Sequence, residues 1–122
     1  MECIDRFVHA FNERDLTALA ACLAEDAVAV VEGSPFPVES GREAIRATSL
    51  PYLIDEAMAL RAKSVDHPTI AIALLDAQGR LDVAIEAKQA DGSLASLRYF
   101  TMPHRPDELR AIAGDLGLVV AE

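Results

Sequence analysis

A chain of 122 residues with a formal charge of −9 and a pI of about 4.7 is long enough to bury roughly two thirds of its unfolded surface. It is expected to form one domain over residues 1–122. The acidity argues against nucleic acid as a partner, because that affinity comes mainly from Lys and Arg on phosphates, and equally against an anionic membrane surface.

The chain starts Met-Glu-Cys-Ile-Asp-Arg, with no basic stretch followed by an apolar one. No run approaches the roughly 20 apolar residues of a membrane span. The expectation is a cytoplasmic protein in which Cys3 and Cys22 are reduced thiols. Ile4, Phe7, Val8 and Phe11 fall at i, i+3, i+4 and i+7, which predicts one apolar helical stripe. Asp15 then suits the N-cap of a second short helix that buries Leu16, Leu19, Ala20 and Leu23. Residues 27–31 are apolar on both faces and β-branched at Val28, Val30 and Val31, so a strand covered on both sides is expected. Pro35 and Pro37 end it, because they cannot donate to a ladder. Ser40-Gly41-Arg42-Glu43 has the spacing of a capping box, which places a third helix near Gly41. Pro51 should break or kink that helix and open another segment reaching about Leu60.

The period then changes. Strands are predicted over residues 61–66 and 69–75, the second with Ile70, Ile72 and Leu74 on one face. Leu81, Val83, Ile85 and Ala87 alternate with Asp82, Ala84, Glu86 and Lys88. Asp91-Gly92 is a strong hairpin signal before a strand over residues 93–102. A short helix over residues 107–116 has Pro106 before it, Asp107 and Glu108 in its first turn, and Gly117 past its end.

Three blocks carry a family resemblance. They are Phe7-Val8-His9-Ala10-Phe11-Asn12-Glu13-Arg14-Asp15-Leu16, Leu23-Ala24-Glu25-Asp26-Ala27-Val28 and Gly41-Arg42-Glu43-Ala44-Ile45. In order and spacing they resemble the SnoaL-like branch of the nuclear-transport-factor-two-like, or cystatin-like α+β, superfamily. The resemblance implies an α+β fold: a curved antiparallel sheet forming a cone, N-terminal helices over it, and a short C-terminal helix. It also implies a homodimer through the outer face of the sheet, where Ala71, Ala73, Ala84 and Ala95 would permit close contact. The tail, with Leu97-Arg98-Tyr99-Phe100 and Gly114-Asp115-Leu116-Gly117-Leu118, is similar to the ending of such domains attached to some alternative sigma factors. This fold hosts isomerases, cyclases, hydrolases and non-enzymes, so the resemblance alone does not set an activity.

The chemistry-bearing residues are sparse. His9, His67 and His104 have no partner at metal-ligand spacing, and there is no glycine-rich phosphate loop. No metal and no cofactor is expected. By its resemblance to the ketosteroid isomerase branch, Phe7 stands at the oxyanion tyrosine, Val31 at the base (with Glu32 one residue on), and Glu86 near the second acid. Phe7 has no hydroxyl and Val31 no carboxylate, so isomerase chemistry of that type is not expected. Glu86 and Glu32 remain as candidate catalytic carboxylates, each set against an ordinary wet-face or rim position. Arg98 is placed to neutralise a ligand acid or Glu86, set against a surface salt bridge. Phe7, Phe11, Tyr52, Arg98 and Phe100 are the candidate ligand contacts. The expectation is a module that binds a small apolar molecule or acts as a non-catalytic accessory. The alternative is a cofactor-free SnoaL-like enzyme working by acid–base chemistry on a small apolar carbonyl compound.

Overall fold

The computed structural model describes residues 2–56 and 60–121; the side chains of Tyr52, Leu53, Asp55 and Glu56 lie outside that description. The elements run α1 (Cys3–Asn12), α2 (Leu16–Ala21), β1 (Leu23–Val31), β2 (Glu39–Ser40), α3 (Arg42–Ala47), α4 (Ser49–Glu56), β3 (Arg61–Ser64), β4 (Ile72–Leu75), β5 (Leu81–Ala90), β6 (Ser93–Thr101) and α5 (Pro106–Leu116). The six strands form one curved sheet in the order β2-β1-β6-β5-β4-β3. All neighbours are antiparallel except β1 and β6, which pair parallel. The fold is α+β and cystatin-like, as the sequence implied. Among the described residues no helix is long and apolar enough to cross a membrane.

Two apolar layers sandwich the sheet. On its inner face Phe7, Phe11, Leu19, Ile45 and Leu50 of the helices pack against Ile72, Leu74, Ile85 and Leu97. On its outer face Leu109, Ile112 and Ala113 of α5 pack on Ala73, Ala84 and Phe100. The patch of small residues expected to receive a second copy is therefore filled at Ala73 and Ala84 by the chain's own α5, while Ala71 packs toward the inner layer. Cys3 and Cys22 are both free and buried.

Local signals account for the best-matched elements. Asp15 caps α2, its carboxylate accepting from Ala18 N at 3.0 Å. Asp91 and Gly92 both take positive φ, 54° and 79°, the geometry of a tight hairpin turn. Gly117 closes α5 in the left-handed conformation. Pro51 sits third in α4, where a missing N–H has no intrahelical acceptor to lose. Thr48, with φ −122° and ψ −72°, breaks α3 from α4.

Four expectations change. β1 is not covered on both sides: Ala27 and Ala29 are buried, but Val28 is 38% exposed, because α5 reaches only the β4–β6 side of the outer face. The capping box does not form. Ser40 pairs with Val28 as part of β2, and Gly41 takes the N-cap at φ 98° with no side-chain bond. Ile70 precedes β4 and turns to the outer layer, away from Ile72 and Leu74. Strict alternation along the strand predicted over residues 93–102 puts Leu94 on one face with Arg98, Phe100 and Met102; Leu94 instead faces the inner layer, because the register slips between Lys88 and Gln89. One extra residue on a strand turns the side chains beyond it to the opposite face.

Candidate functional site

The sequence-derived candidates divide between the two faces of the sheet. Glu86 and Arg98 stand directly opposite each other on β5 and β6, and Arg98 lies beside Val30 of β1. Arg98 Nη1 donates to Glu86 Oε2 at 2.9 Å, and Arg98 Nε donates to Glu32 Oε1 at 2.8 Å. Three of the named residues thus come together: Arg98 meets Glu86, one of the alternatives set out for it, and Glu32 joins them without having been expected there. They do so on the outer face, the side of Ala84 and Phe100, with the guanidinium 5.4 Å from the Phe100 ring centre. The Arg98 hydrogen bond holds the Glu32 carboxyl below its ordinary pKa, against the opposing effect of burial. Arg98 itself is held more firmly protonated, first by its bond to Glu32. Lys88 adds a further contact to Glu86 at 3.7 Å. The acids are neutralised, so this cluster has the character of a structural ion-pair network.

Phe7 and Phe11 are fully buried in the inner layer, and Phe100 is buried in the outer one. Tyr52 lies on α4, and its side chain is outside the described residues. None of the three phenylalanines borders the cavity.

A cavity of about 350 Å³ lies instead between β1, the loop that follows it, the α3–α4 junction and β6. Its apolar wall comes from Ala29, Val31, Phe36 and Pro37, and its polar groups from Glu39, Thr48, Ser49 and Tyr99. Phe36, 62% exposed, forms the rim, and Tyr99, 5% exposed, forms the floor. β1 and β6 set this geometry by their parallel register, which places Val31 beside Tyr99 and Ala29 beside Leu97. The break at Thr48 turns Thr48 and Ser49 toward the same space.

The polar groups are incompletely bonded. The hydroxyls of Tyr99 and Ser49 are buried close to each other, and neither makes a hydrogen bond of ordinary geometry among the described residues. Burial raises the Tyr99 pKa first and the nearby Glu39 charge adds to it, with the neighbouring Ser49 hydroxyl opposing them, so the phenol is a neutral donor near pH 7. The Thr48 hydroxyl lies against both the Glu39 carboxylate and the Ala44 carbonyl. Of the described residues that line the cavity, Glu39 alone carries a charge. The wall therefore offers two buried donors and one carboxylate around an apolar space. This is an arrangement suited to a small polar group on an apolar body.

Sequence reasoning passed over Tyr99, Ser49 and Glu39. A signal was present: Leu97, Tyr99 and Thr101 share one strand face, which puts two hydroxyls on a run that is otherwise core.

The fold is shared with solved bacterial structures. A protein of Kribbella flavida superposes with a TM-score of 0.60 at 17% identity, covering 93% of this chain and 94% of that one. A protein of unknown function with a cystatin-like fold from Xanthomonas campestris gives 0.60 at 16%, over 89% and 98%. A candidate polyketide cyclase of Sinorhizobium meliloti gives 0.56 at 20%, over 80% and 92%. At these identities the likeness is one of fold. A search of curated proteins found no match. The SnoaL-like domain model matches residues 4–115, and the chain belongs to the SnoaL-like family.

Proposed function

We propose that this domain binds a small, mostly apolar molecule bearing a carbonyl group in the cavity under Phe36. The observation that carries the reading is the Tyr99 hydroxyl, buried in the cavity floor without a hydrogen-bond partner among the described residues. A buried hydroxyl left unbonded costs about 1–3 kcal/mol. A ligand carbonyl reaching Tyr99 and Ser49 would supply the missing acceptor, while Ala29, Val31, Phe36 and Pro37 would hold the apolar body. A cavity of about 350 Å³ accommodates a bicyclic compound. Titration with 2-acetonaphthone tests this: saturable binding by the native protein, lost in Tyr99→Phe, supports the reading. Binding that ignores the substitution refutes it.

Glu39 favours a second reading, an acid–base enzyme without a cofactor. A carboxylate in the same cavity as two hydroxyl donors has the parts to take a proton from the carbon beside a carbonyl, while the donors hold the developing enolate oxygen. The likeness to a candidate polyketide cyclase is compatible with it. Exchange of the methyl protons of 2-acetonaphthone in D₂O, accelerated by the native protein but not by Glu39→Gln, would favour the enzyme over the binding module.

A further inference from the structure

We infer that Glu39 selects ligands by charge: the cavity admits neutral molecules that can donate a hydrogen bond to it and rejects carboxylates. The inference rests on the cavity being the ligand site. Glu39 lines it, and no Lys, Arg or His is among the described lining residues. The two arginines that flank this site on β6 and its following loop are engaged elsewhere. Arg98 is held by Glu32 and Glu86 on the outer face, and Arg105 lies 3.4 Å from Glu108. A ligand carboxylate at Tyr99 would gain two hydroxyl donors. It would also sit within reach of the Glu39 charge, which is close enough to act on the Tyr99 phenol. Repulsion between like charges near a protein surface outweighs a pair of neutral donors, because nothing in the wall compensates the second charge.

A neutral ligand meets the opposite situation. The Thr48 hydroxyl lies against Glu39 Oε2, while Oε1 accepts from none of the described residues. An N–H or O–H adjoining the ligand carbonyl would fill that acceptor, as the carbonyl fills Tyr99 and Ser49. A primary amide or a hydroxy ketone has both halves in one group. A carboxylate has only the accepting half.

The test uses two probes of nearly the same shape, 2-naphthamide and 2-naphthoate, titrated calorimetrically into the full chain at pH 7. The native protein should bind the amide at least tenfold more tightly. Glu39→Gln should bring the two within about threefold, whereas Glu43→Gln, a control at an exposed position of α3, should leave the gap intact. Raising the salt concentration should narrow the gap in the native protein, which reads the same repulsion even if the Glu39 variant fails to fold. Equal binding of both probes by the native protein, with Tyr99→Phe still abolishing it, overturns the charge selection and leaves the site standing. Binding of neither probe in a Tyr99-dependent way overturns the site reading and this inference with it.

Discussion

Arg98 and Tyr99 are consecutive in β6 and serve opposite faces of the sheet. The Arg98 guanidinium bridges Glu86 and Glu32 outside, at 2.9 Å and 2.8 Å, and the Tyr99 hydroxyl ends in the cavity inside, without a partner among the described residues. The ion pairs and the unsatisfied hydroxyls are thereby separated by the thickness of one strand. The outer cluster is saturated with its own ion pairs. The inner cavity keeps donors in reserve with no cation beside them, and a ligand can complete them.

Tyr99→Phe separates a structural role from a functional one. The substitution removes a buried hydroxyl that bonds to nothing described and keeps the ring. Stability in urea should stay the same or rise by about 1 kcal/mol, since an unsatisfied polar group is lost. Binding of 2-acetonaphthone should fall at least tenfold. A stability loss above about 1 kcal/mol would show that the hydroxyl is bonded in the folded protein.

Arg98→Gln tests the outer cluster. Arg98 is partly exposed, so the ion pairs should contribute only about 0.5–1 kcal/mol at pH 7. The folded Glu32 pKa is depressed by Arg98, so that contribution is fully present above the unfolded value of about 4.3 and fades as pH falls through the folded value. The native-minus-variant gap in urea stability should therefore be larger at pH 7 than at pH 3. A gap independent of pH would contradict the pairing, and cavity binding should not change.

Much of the fold is legible because its signals are local. Asp15, Asp91-Gly92 and the Pro106 to Gly117 frame each act within a few residues of the element they set. The cavity is not legible in that way. It depends on β1 lying parallel to β6, a pairing between distant segments that no short pattern announces; the register slip at Lys88–Gln89 that reassigns Leu94 is equally hidden. Charge drew attention to Arg98 and Glu86, which do meet, as their cross-strand positions allow. The uncharged neighbour Tyr99 drew no attention, because nothing local shows which face of the sheet it serves. Phe7 and Phe11 stood among the candidate ligand contacts on the helices that cover the sheet; there the inner layer is filled by side chains.

Ser40→Ala and Gly41→Ala should rank opposite to the capping-box expectation. Ser40 is exposed and makes no cap bond, so its loss should change stability by less than about 0.5 kcal/mol. Gly41 has φ 98° and ψ 139°, a conformation close to glycine-only, and an added Cβ there should cost about 1–3 kcal/mol. Thermal melts of the two variants decide it. A larger loss from Ser40→Ala would show that its hydroxyl caps α3 after all.

Gly33→Ala should damage the cavity from outside it. Gly33 has φ 75°, and a Cβ there would lie 2.6 Å from the His104 carbonyl oxygen and 3.0 Å from Arg105 Cζ. The Arg105 side chain can swing away. The His104 carbonyl cannot easily do so, because the N–H groups of His104 and Arg105 both donate to Thr101 O, at 3.4 Å and 2.8 Å. The loop after β1 must then move instead. That loop carries Phe36, whose ring meets His104 edge-on with centroids 6.1 Å apart and which forms the cavity rim. The variant should lose stability and also bind 2-acetonaphthone several-fold more weakly. Gly79→Ala is the matched control: its φ is 78°, but nothing lies within 4 Å of the new Cβ, so it should show only the left-handed strain of about 1–2 kcal/mol and unchanged binding. Equal stability losses in the two variants, with binding intact in both, would show that Gly33 does not couple the C-terminal loop to the rim.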